Sequence, residues 1–303
     1  MTGNAVDVFS LRKTFGSFVA VDDVSFAVPA GQIVAFLGAN GAGKTTTLRM
    51  ILDIIKPDRG RIAVFGEAVA PLHRIGYLPE ERGLYRRMRA EDVIAYFAAL
   101  KGLTLVDGKA RARALLARFG LAEFARYRIE ALSKGMAQKI GLMTALVHDP
   151  DLLILDEPFS GLDPLNQSGL EAELRAEVSR GKSVIFSTHT LPHAERLADR
   201  VIIMDKGRML FDGSREDALK LLPPRVRLAA DSDLGFLAII GGVRKASPPV
   251  AERPFWELEL QDRAVARAVL AACFERNVIP TRFETADATL HDVFIALVGP
   301  SAP

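Results

Sequence analysis

One short segment has the residue types and the spacing of a phosphate-binding loop. Residues 38–45 read GANGAGKT and fit the pattern G-x-x-x-x-G-K-[ST]. Glycines let the backbone curl so that several N–H groups point at phosphate oxygens, and the helix that follows adds its dipole. The lysine of this pattern reaches the β- and γ-phosphates, and the threonine hydroxyl binds Mg²⁺. The predicted binding residues are Gly38, Asn40, Gly41, Ala42, Gly43, Lys44, Thr45 and Thr46.

A pair of acidic residues at the end of an apolar run is the second candidate. Residues 152–155 are all apolar and are followed by Asp156 and Glu157. A buried parallel strand delivers its carboxyl end to the ligand crevice, so Asp156 is placed to hold Mg²⁺ through water. Glu157 points elsewhere and can polarise an attacking water molecule. The competing interpretation is a strand that ends in a solvated turn, and the phosphate loop weighs against it.

The residues after this acidic pair predict a tight loop that leads into a helix. Asp163 and Pro164 are residue types that begin helices, with Asp163 as the N-cap and Pro164 at the first helical position. We therefore expect residues 160–163 to present Asp163 just outside the site.

The elements that must position these residues alternate between strands and helices. Residues 33–37 form an apolar run typical of a strand buried on both faces, and a helical pattern after Lys44 ends at Pro57 and Gly60. This alternation predicts an α/β fold with a mostly parallel sheet and an inserted helical block at about 76–150. The other predicted strands are 6–10, 24–28, 61–65, 184–187 and 201–204, and the helices of the insert are 91–101, 109–119 and 136–147.

A proline pair marks the predicted boundary between two domains. A helix does not run easily into two prolines, so Pro223-Pro224 is the predicted linker. We expect residues 1–222 to form the first domain. Residues 225–303 then form a small α+β domain, with strands at 225–230 and 254–260 and helices at 263–276 and 289–298.

Composition and charge exclude several classes of protein. The 303 residues are 49% hydrophobic and 25% charged, which is typical of a globular chain. Lys and Arg number 39 against 37 Asp and Glu, so the net charge of +2 does not favour nucleic acid as a partner. The single cysteine, Cys273, excludes an intrachain disulfide and indicates a reducing compartment. We expect no secretory signal and no membrane span, because no apolar run approaches about 18 residues.

Residues 132–163 strongly resemble the core of an ABC-type ATPase. They read LSKGMAQKIGLMTALVHDPDLLILDEPFSGLD, and LSKGM looks like that family's signature, usually LSGGQ, with Lys134 and Met136 as departures. The serine and the last glycine of the signature survive as Ser133 and Gly135. They put a hydroxyl and a bare N–H at a helix N-terminus, both aimed at a γ-phosphate.

The resemblance assigns roles to three further residues by their position. His189 looks like the family's switch histidine, which contacts the γ-phosphate and helps to orient the attacking water. Phe15 lies where the family places an aromatic that stacks on adenine, and a core aromatic is the alternative. Glu80 replaces a glutamine that contacts Mg²⁺ and the water. A glutamate adds negative charge near the phosphates, although Mg²⁺ accepts such a ligand.

The resemblance implies both a fold and a reaction. The fold would be that of the P-loop NTPases, with a RecA-like mostly parallel core sheet, an antiparallel β subdomain and an inserted helical subdomain. The chain would bind ATP with Mg²⁺ and hydrolyse the ATP. One motif set per chain implies that ATP is sandwiched between residues 38–45 of one copy and Ser133 and Gly135 of a second. The functional unit would need a second ATPase subunit, with a homodimer as the default.

In this class the closing and opening of the dimer drive a membrane permease, which here would be a separate chain. The resemblance therefore places this subunit at the cytoplasmic face of the membrane. The segment GYLPEERGLY at 76–85 is similar to export-type (sodium/multidrug-export-like) members, and the tail is similar to the accessory domain of such subunits. The sequence of this chain does not identify the transported substrate, which the permease would choose. The helical insert is the expected docking surface, beside a basic run that forms either a solvated face or a contact with the permease or anionic lipids: Arg82, Arg86, Arg87 and Arg89.

Two alternative functions stay open at this point. A soluble ABC ATPase that acts on ribosomes or nucleic acid usually carries two ATPase halves or coiled-coil arms, and the sequence has neither. A nucleotide-binding module without turnover is disfavoured by the presence of both Glu157 and His189.

Overall fold

The computed structural model describes residues 3–80, 83–251 and 253–299, so Arg82 of the predicted basic run lies outside the described residues. The chain divides into two compact units between Ser214 and Arg215. The Pro223-Pro224 pair lies within the second unit, because the short helix that precedes it packs against the last helix of that unit.

The first unit alternates strands and helices as the sequence predicts. Its strands are β1 (Asn4–Phe15), β2 (Phe18–Pro29), β3 (Ile33–Leu37), β4 (Arg59–Val64), β5 (Ile75–Leu78), β6 (Leu152–Asp156), β7 (Ser183–Thr188), β8 (Arg200–Asp205) and β9 (Arg208–Ser214). Its α-helices are α1 (Lys44–Ile51), α2 (Ala90–Leu100), α3 (Leu105–Arg118), α4 (Lys134–Leu146), α5 (Pro164–Ser179) and α6 (Leu191–Leu197).

A six-stranded sheet forms the centre of the first unit. Its strand order is β5-β6-β7-β3-β8-β9, with parallel pairing up to β8 and an antiparallel β9 at the edge. All residues of β3, β6 and β7 are buried, which explains the apolar runs 33–37, 152–155 and 184–186 within them. Because parallel strands all point the same way, the loops after β3, β6 and β7 leave the sheet at one edge, where ligands bind in such folds.

A three-stranded antiparallel sheet, in the order β2-β1-β4, packs against this core. The two sheets share one hydrophobic cluster, in which the rings of Phe26 on β2 and Phe36 on β3 meet edge to face at 5.2 Å. The helices α2, α3 and α4 lie between β5 and β6 in the chain. The observed architecture is therefore the predicted one, a mostly parallel core with an antiparallel β subdomain and an inserted helical block. The block begins later than the predicted residue 76, because residues up to Leu78 belong to β5 of the sheet.

The first helix is shorter than the sequence predicts. We expected α1 to continue to Ile55 and to end at Pro57 and Gly60, but it ends at Ile51. Asp53 has a left-handed backbone with φ of 59°, and the N–H groups of Ile54 and Ile55 turn back to the carbonyl of Arg49. This reversal breaks the helical ladder before the proline is reached.

The second unit is a small α+β fold. It contains α7 (Arg215–Leu219), β10 (Arg225–Ala229), β11 (Val243–Ser247), β12 (Trp256–Leu260), α8 (Val265–Glu275), β13 (Arg282–Ala286) and α9 (Leu290–Val298). The four strands form an antiparallel sheet in the order β11-β12-β10-β13. Cys273 is buried in its core, as expected. Among the residues that the structure describes, none of the helices is long and apolar enough to span a bilayer.

Gly76 on β5 gives a test of the packing between the helical insert and the sheet. A Cβ atom at Gly76 would lie 2.2 Å from the backbone carbonyl oxygen of Ala145 in α4, which cannot move alone. We expect Gly76→Ala to destabilise the protein by about 1–3 kcal/mol, because α4 must shift away from the sheet. Thermal unfolding should then begin several degrees lower, at roughly 2–4 °C per kcal/mol.

Gly169→Ala is the matched control for this substitution. Gly169 lies in α5 with open space around its missing Cβ, so alanine should raise stability there by about 0.5–1 kcal/mol through helix propensity. Equal melting temperatures for Gly76→Ala and the wild type would show that the insert packs less tightly against β5 than the distances indicate.

Candidate nucleotide site

The phosphate loop joins the buried strand β3 to helix α1 at the ligand edge of the sheet. Gly43 has φ of 101°, and a Cβ atom there would lie 2.5 Å from the carbonyl oxygen of Ala20. Only glycine meets both requirements, the left-handed backbone and the close approach. Helix α1 begins at Lys44, directly after this turn, so its free N–H groups face the loop.

Lys44 is the cation at the centre of the site. Its Nζ donates hydrogen bonds to the carbonyl oxygens of Gly38 at 2.7 Å and Ala39 at 3.1 Å, and the residue is 6% exposed. Burial lowers the pKa of the Lys44 ammonium, and the negative charges of three carboxylates oppose that shift: Glu157, Asp156 and Glu80. The structure therefore brings all three predicted acidic residues within electrostatic reach of the predicted lysine.

Asp156 ends strand β6 with one carboxylate oxygen paired and the other without a partner. Its Oδ1 accepts hydrogen bonds from Thr45 Oγ1 at 3.2 Å and from Ser187 Oγ at 2.5 Å. Its Oδ2 is buried and has no hydrogen-bond partner among the described residues. A buried carboxylate oxygen without a partner is costly unless a donor or a cation completes it.

The donor set around Asp156 fits Mg²⁺ that is shared with phosphates. Mg²⁺ prefers oxygen ligands and is usually bound by one or two protein groups together with substrate phosphates. Asp156 Oδ2 and the neighbouring Thr45 hydroxyl are such groups. Within the described ranges, no cluster of three or more His, Cys, Asp or Glu side chains could hold a metal by itself.

Glu157 leaves the strand in a different direction from Asp156. Its φ of 48° is left-handed, which is uncommon for a residue other than glycine, and its N–H donates to Ser187 Oγ at 3.0 Å. The turned side chain brings Glu157 Oε1 to 2.8 Å from Nδ1 of His189. Glu157 is 8% exposed, whereas the His189 side chain is 55% exposed. The carboxylate is thus sheltered and touches a ring that faces solvent.

A cavity of about 250 Å³ lies beside the loop. Phe15 does not line it, but Phe18, its neighbour across the β1–β2 hairpin, does. Stacking of Phe15 on adenine stays a prediction, and Phe18 is an aromatic that the sequence pattern did not single out. The lining residues are Phe18, Ala20, Asn40, Gly41, Ala42, Gly43, Lys44, Thr45, Thr46, Glu80 and Glu157.

The signature residues and Asp163 form a second group. Ser133 caps α4 by accepting a hydrogen bond from the N–H of Met136 at 3.2 Å, and Asp163 caps α5 by accepting one from Asn166 at 2.9 Å. Hydrogen bonds from Asn166 lower the pKa of the Asp163 carboxyl. The Nδ2 of Asn166 donates to Asp163 Oδ2 at 2.6 Å, and a Cβ atom added at Gly135 would lie 3.6 Å from the same Nδ2, so Asn166 lies beside both motifs. Of the residues that the structure describes, none of this group lines the cavity at the phosphate loop.

Ser187 is a site residue that the sequence analysis did not predict. Its hydroxyl contacts both residues of the acidic pair, and the register of strands β6 and β7 is the feature that could have predicted these contacts. Ser187 stands opposite Asp156 in the parallel pair β6–β7. Two strands whose predicted ends both carry polar residues place those residues side by side, provided that the strands are known to be neighbours.

The groups of this site can bind a nucleoside triphosphate. Backbone N–H groups and a buried lysine bind phosphate oxygens, and a hydroxyl and a carboxylate can bind the metal that accompanies the phosphates. A sheltered carboxylate can accept a proton from an attacking water. The fold and the site together define a P-loop NTPase.

Comparison with known proteins narrows this class. The family model for ABC transporters matches residues 21–160. YhaQ, an uncharacterized ABC transporter ATP-binding protein of Bacillus subtilis, is 36% identical over 295 residues, which cover 95% of this chain and 97% of the relative. A Nod factor export ATP-binding protein I of Paraburkholderia xenovorans is 32% identical over 304 residues, which cover 97% of each chain.

A solved structure described as an ATP-binding subunit of an ABC transporter is also similar. It has 33% sequence identity and a TM-score of 0.65, and the match covers 72% of this chain and 92% of that one. The chain therefore belongs to the family of ABC transporter ATP-binding proteins, which confirms the resemblance seen in the sequence. Members of this family bind ATP and act with membrane permeases.

Glu80 gives a test of the electrostatics of the cavity. Glutamine at this position removes one negative charge beside the phosphates. We therefore expect Glu80→Gln to bind ATP about threefold more tightly in EDTA, because like-charge repulsion falls. It should also need more Mg²⁺ for half-maximal binding, because a carboxylate available to the metal is lost. Titration of a fluorescent ATP analogue with and without Mg²⁺ measures both quantities.

The control for this variant is Glu123→Gln, which removes the same charge from an exposed position that does not line the cavity. If Glu80→Gln binds ATP with unchanged affinity in both conditions, Glu80 interacts with neither the phosphates nor the metal.

Proposed function

We propose that this chain hydrolyses ATP with Mg²⁺ and uses Glu157 as the general base. The contact between Glu157 and His189 carries the proposal, because it puts a sheltered carboxylate beside a ring that can hold it in place. A general base must lie within hydrogen-bond reach of the water that it activates. A carboxylate that is already held in the right orientation loses less entropy on reaching that geometry.

The other residues of the site supply binding and charge. Lys44 and the backbone N–H groups of the loop bind the β- and γ-phosphates, and Thr45 and Asp156 would hold Mg²⁺, with Glu80 as a third candidate ligand. The metal, when bound, neutralises charge that develops on the phosphate oxygens. His189 contacts the γ-phosphate and orients the water, while Glu157 accepts the proton of that water. Phe15 stacks on adenine from the end of β1.

We infer that two ATPase subunits form the working unit, with a homodimer as the simplest case. The phosphate loop and the signature residues lie on different parts of one chain. A facing copy lets the signature of each chain complete the phosphate-loop site of the other. Ser133 and Gly135 of one copy would then meet the γ-phosphate held by the loop of its partner, with Asp163 near the shared boundary. Loss of the γ-phosphate removes these contacts, so hydrolysis opens the dimer.

We propose two domains with different tasks. The first compact unit acts as the ATPase domain, and the second, which contains the described residues of the predicted domain 225–303, acts as an accessory domain with a regulatory or dimer-clamping role. A separate permease holds the subunit at the cytoplasmic face of the membrane. An export direction is supported by the Nod factor export relative, which matches over 97% of this chain. The substrate would be chosen by the permease.

The helical insert offers a docking surface for that permease. Residues 86–90 run antiparallel to residues 125–130, with hydrogen bonds from Ala90 N to Tyr127 O and from Ile129 N to Met88 O. This pairing gathers exposed arginines from two segments into one surface, which we call the arginine patch: Arg86, Arg87, Arg89, Arg126 and Arg128. Within the described part of the chain, only Arg128 of these five lies within 4 Å of a carboxylate.

The role of Glu157 predicts a specific variant. Glu157→Gln keeps the size of the side chain but cannot accept the proton, so we expect ATP binding to persist and the rate of hydrolysis to fall at least a hundredfold. ATP should then hold two copies together, and light scattering after size-exclusion chromatography should show a dimer in ATP and Mg²⁺. Turnover of this variant at the wild-type rate would exclude Glu157 as the base.

The arginine patch predicts how the permease is bound. The double variant Arg87→Gln/Arg89→Gln removes two exposed cations without touching the nucleotide site. We expect it to retain ATP hydrolysis and to copurify with about fivefold less permease from detergent extracts, because charge complementarity is lost at the contact. The control Arg244→Gln/Arg267→Gln removes two exposed cations from the second unit. Equal recovery of the permease with both double variants would place the docking surface elsewhere.

A further inference from the structure

A single buried hydroxyl contacts both members of the acidic pair. Ser187 is fully buried near the end of β7, directly opposite Asp156 on β6. Its Oγ donates a hydrogen bond to Asp156 Oδ1 and accepts one from the N–H of Glu157. A serine hydroxyl can donate one bond and accept others, so this one group satisfies two different neighbours at once.

For Asp156 the consequence is a fixed orientation of the carboxylate. Oδ1 accepts bonds from two hydroxyls, that of Ser187 on strand β7 and that of Thr45 in the first turn of helix α1. With Oδ1 held in this way, the carboxylate cannot rotate without breaking both bonds. Oδ2 is then the oxygen that remains for a cation.

For Glu157 the consequence is a fixed direction of the backbone. The residue adopts a left-handed conformation that non-glycine residues visit rarely, and such conformations persist only where the surroundings hold them. The bond from its N–H to Ser187 is such a restraint, and without it a buried N–H would have no partner. This turn directs the Glu157 carboxylate to His189.

We infer that Ser187 is a positioning residue for the proposed hydrolysis. It acts through Asp156 and Glu157, because it sets which oxygen of Asp156 faces the metal and which way Glu157 points. The inference rests on the proposed function for its effect on turnover. Its effect on the metal does not depend on turnover, since it can be observed in nucleotide binding alone.

Strand β7 contains its own control residue. Ser183 begins the strand, is 1% exposed and lies on the same face as Ser187, four residues away. Its hydroxyl accepts a hydrogen bond from the N–H of Gly31 at 3.0 Å, at the opposite end of the strand from the acidic pair. Ser183→Ala and Ser187→Ala therefore remove the same buried group from the same strand, and only the second touches the site.

The test compares these two variants of the full chain with the wild type. Binding of a fluorescent ATP analogue is titrated in EDTA and again over a series of Mg²⁺ concentrations, and steady-state hydrolysis is measured at saturating Mg²⁺. For Ser187→Ala we expect ATP affinity in EDTA within about twofold of the wild type, because the phosphate loop is intact. The Mg²⁺ concentration for half-maximal enhancement of binding should rise, and kcat should fall about 10- to 100-fold, as is usual when support of a metal ligand is lost.

Each outcome decides a different point. An unchanged Mg²⁺ requirement and an unchanged kcat for Ser187→Ala would overturn the inference. So would an equal loss in Ser183→Ala, or a loss of ATP affinity in EDTA, because both would show that the hydroxyl serves only the fold. If the wild type binds ATP but does not hydrolyse it, the proposed function fails, while a raised Mg²⁺ requirement in Ser187→Ala would still support the positioning role.

Discussion

The buried ammonium of Lys44 is the interaction on which the rest of the site depends. A triphosphate carries several negative charges, and this site adds three carboxylates close to where they would lie. Lys44 is the cation that shares this space, held by two carbonyl oxygens of its own loop. Burial lowers the pKa of its ammonium, and the surrounding carboxylates act in the opposite direction. The fold must therefore keep Lys44 together with Asp156 and Glu157 in a sheltered place, which a parallel sheet does by ending its strands at one edge.

Much of this arrangement could be predicted from local sequence. The loop at 38–45, the acidic pair after an apolar strand and the N-cap Asp163 each depend on neighbours in the chain, and short-range chemistry fixes them. The fold class followed from the alternation of strands and helices for the same reason. These are features in which the residue type and the backbone geometry require each other, as with Gly43 and its left-handed turn.

Other features depend on contacts that the sequence does not state. Ser187 acquires its two partners only because β6 and β7 are neighbours in a particular register. The arginine patch exists because two segments of the insert, far apart in the chain, pair as antiparallel backbones. Helix α1 ends early because Asp53 adopts a left-handed turn, which the periodic apolar pattern through Ile55 could not indicate. The first two features arise from tertiary pairing, and in the third a local turn overrides the periodic apolar pattern.

The separation of the two residue groups within one chain is the basis of the proposed cycle. Its most direct test mixes two variants, Lys44→Ala, which disables the phosphate loop, and Gly135→Asp, which puts a negative charge at the signature. If each site is built from two chains, mixed dimers contain one intact site. The mixture should then hydrolyse ATP at about a quarter of the wild-type rate, although each variant alone is inactive. A mixture no more active than its separate components would contradict the shared site.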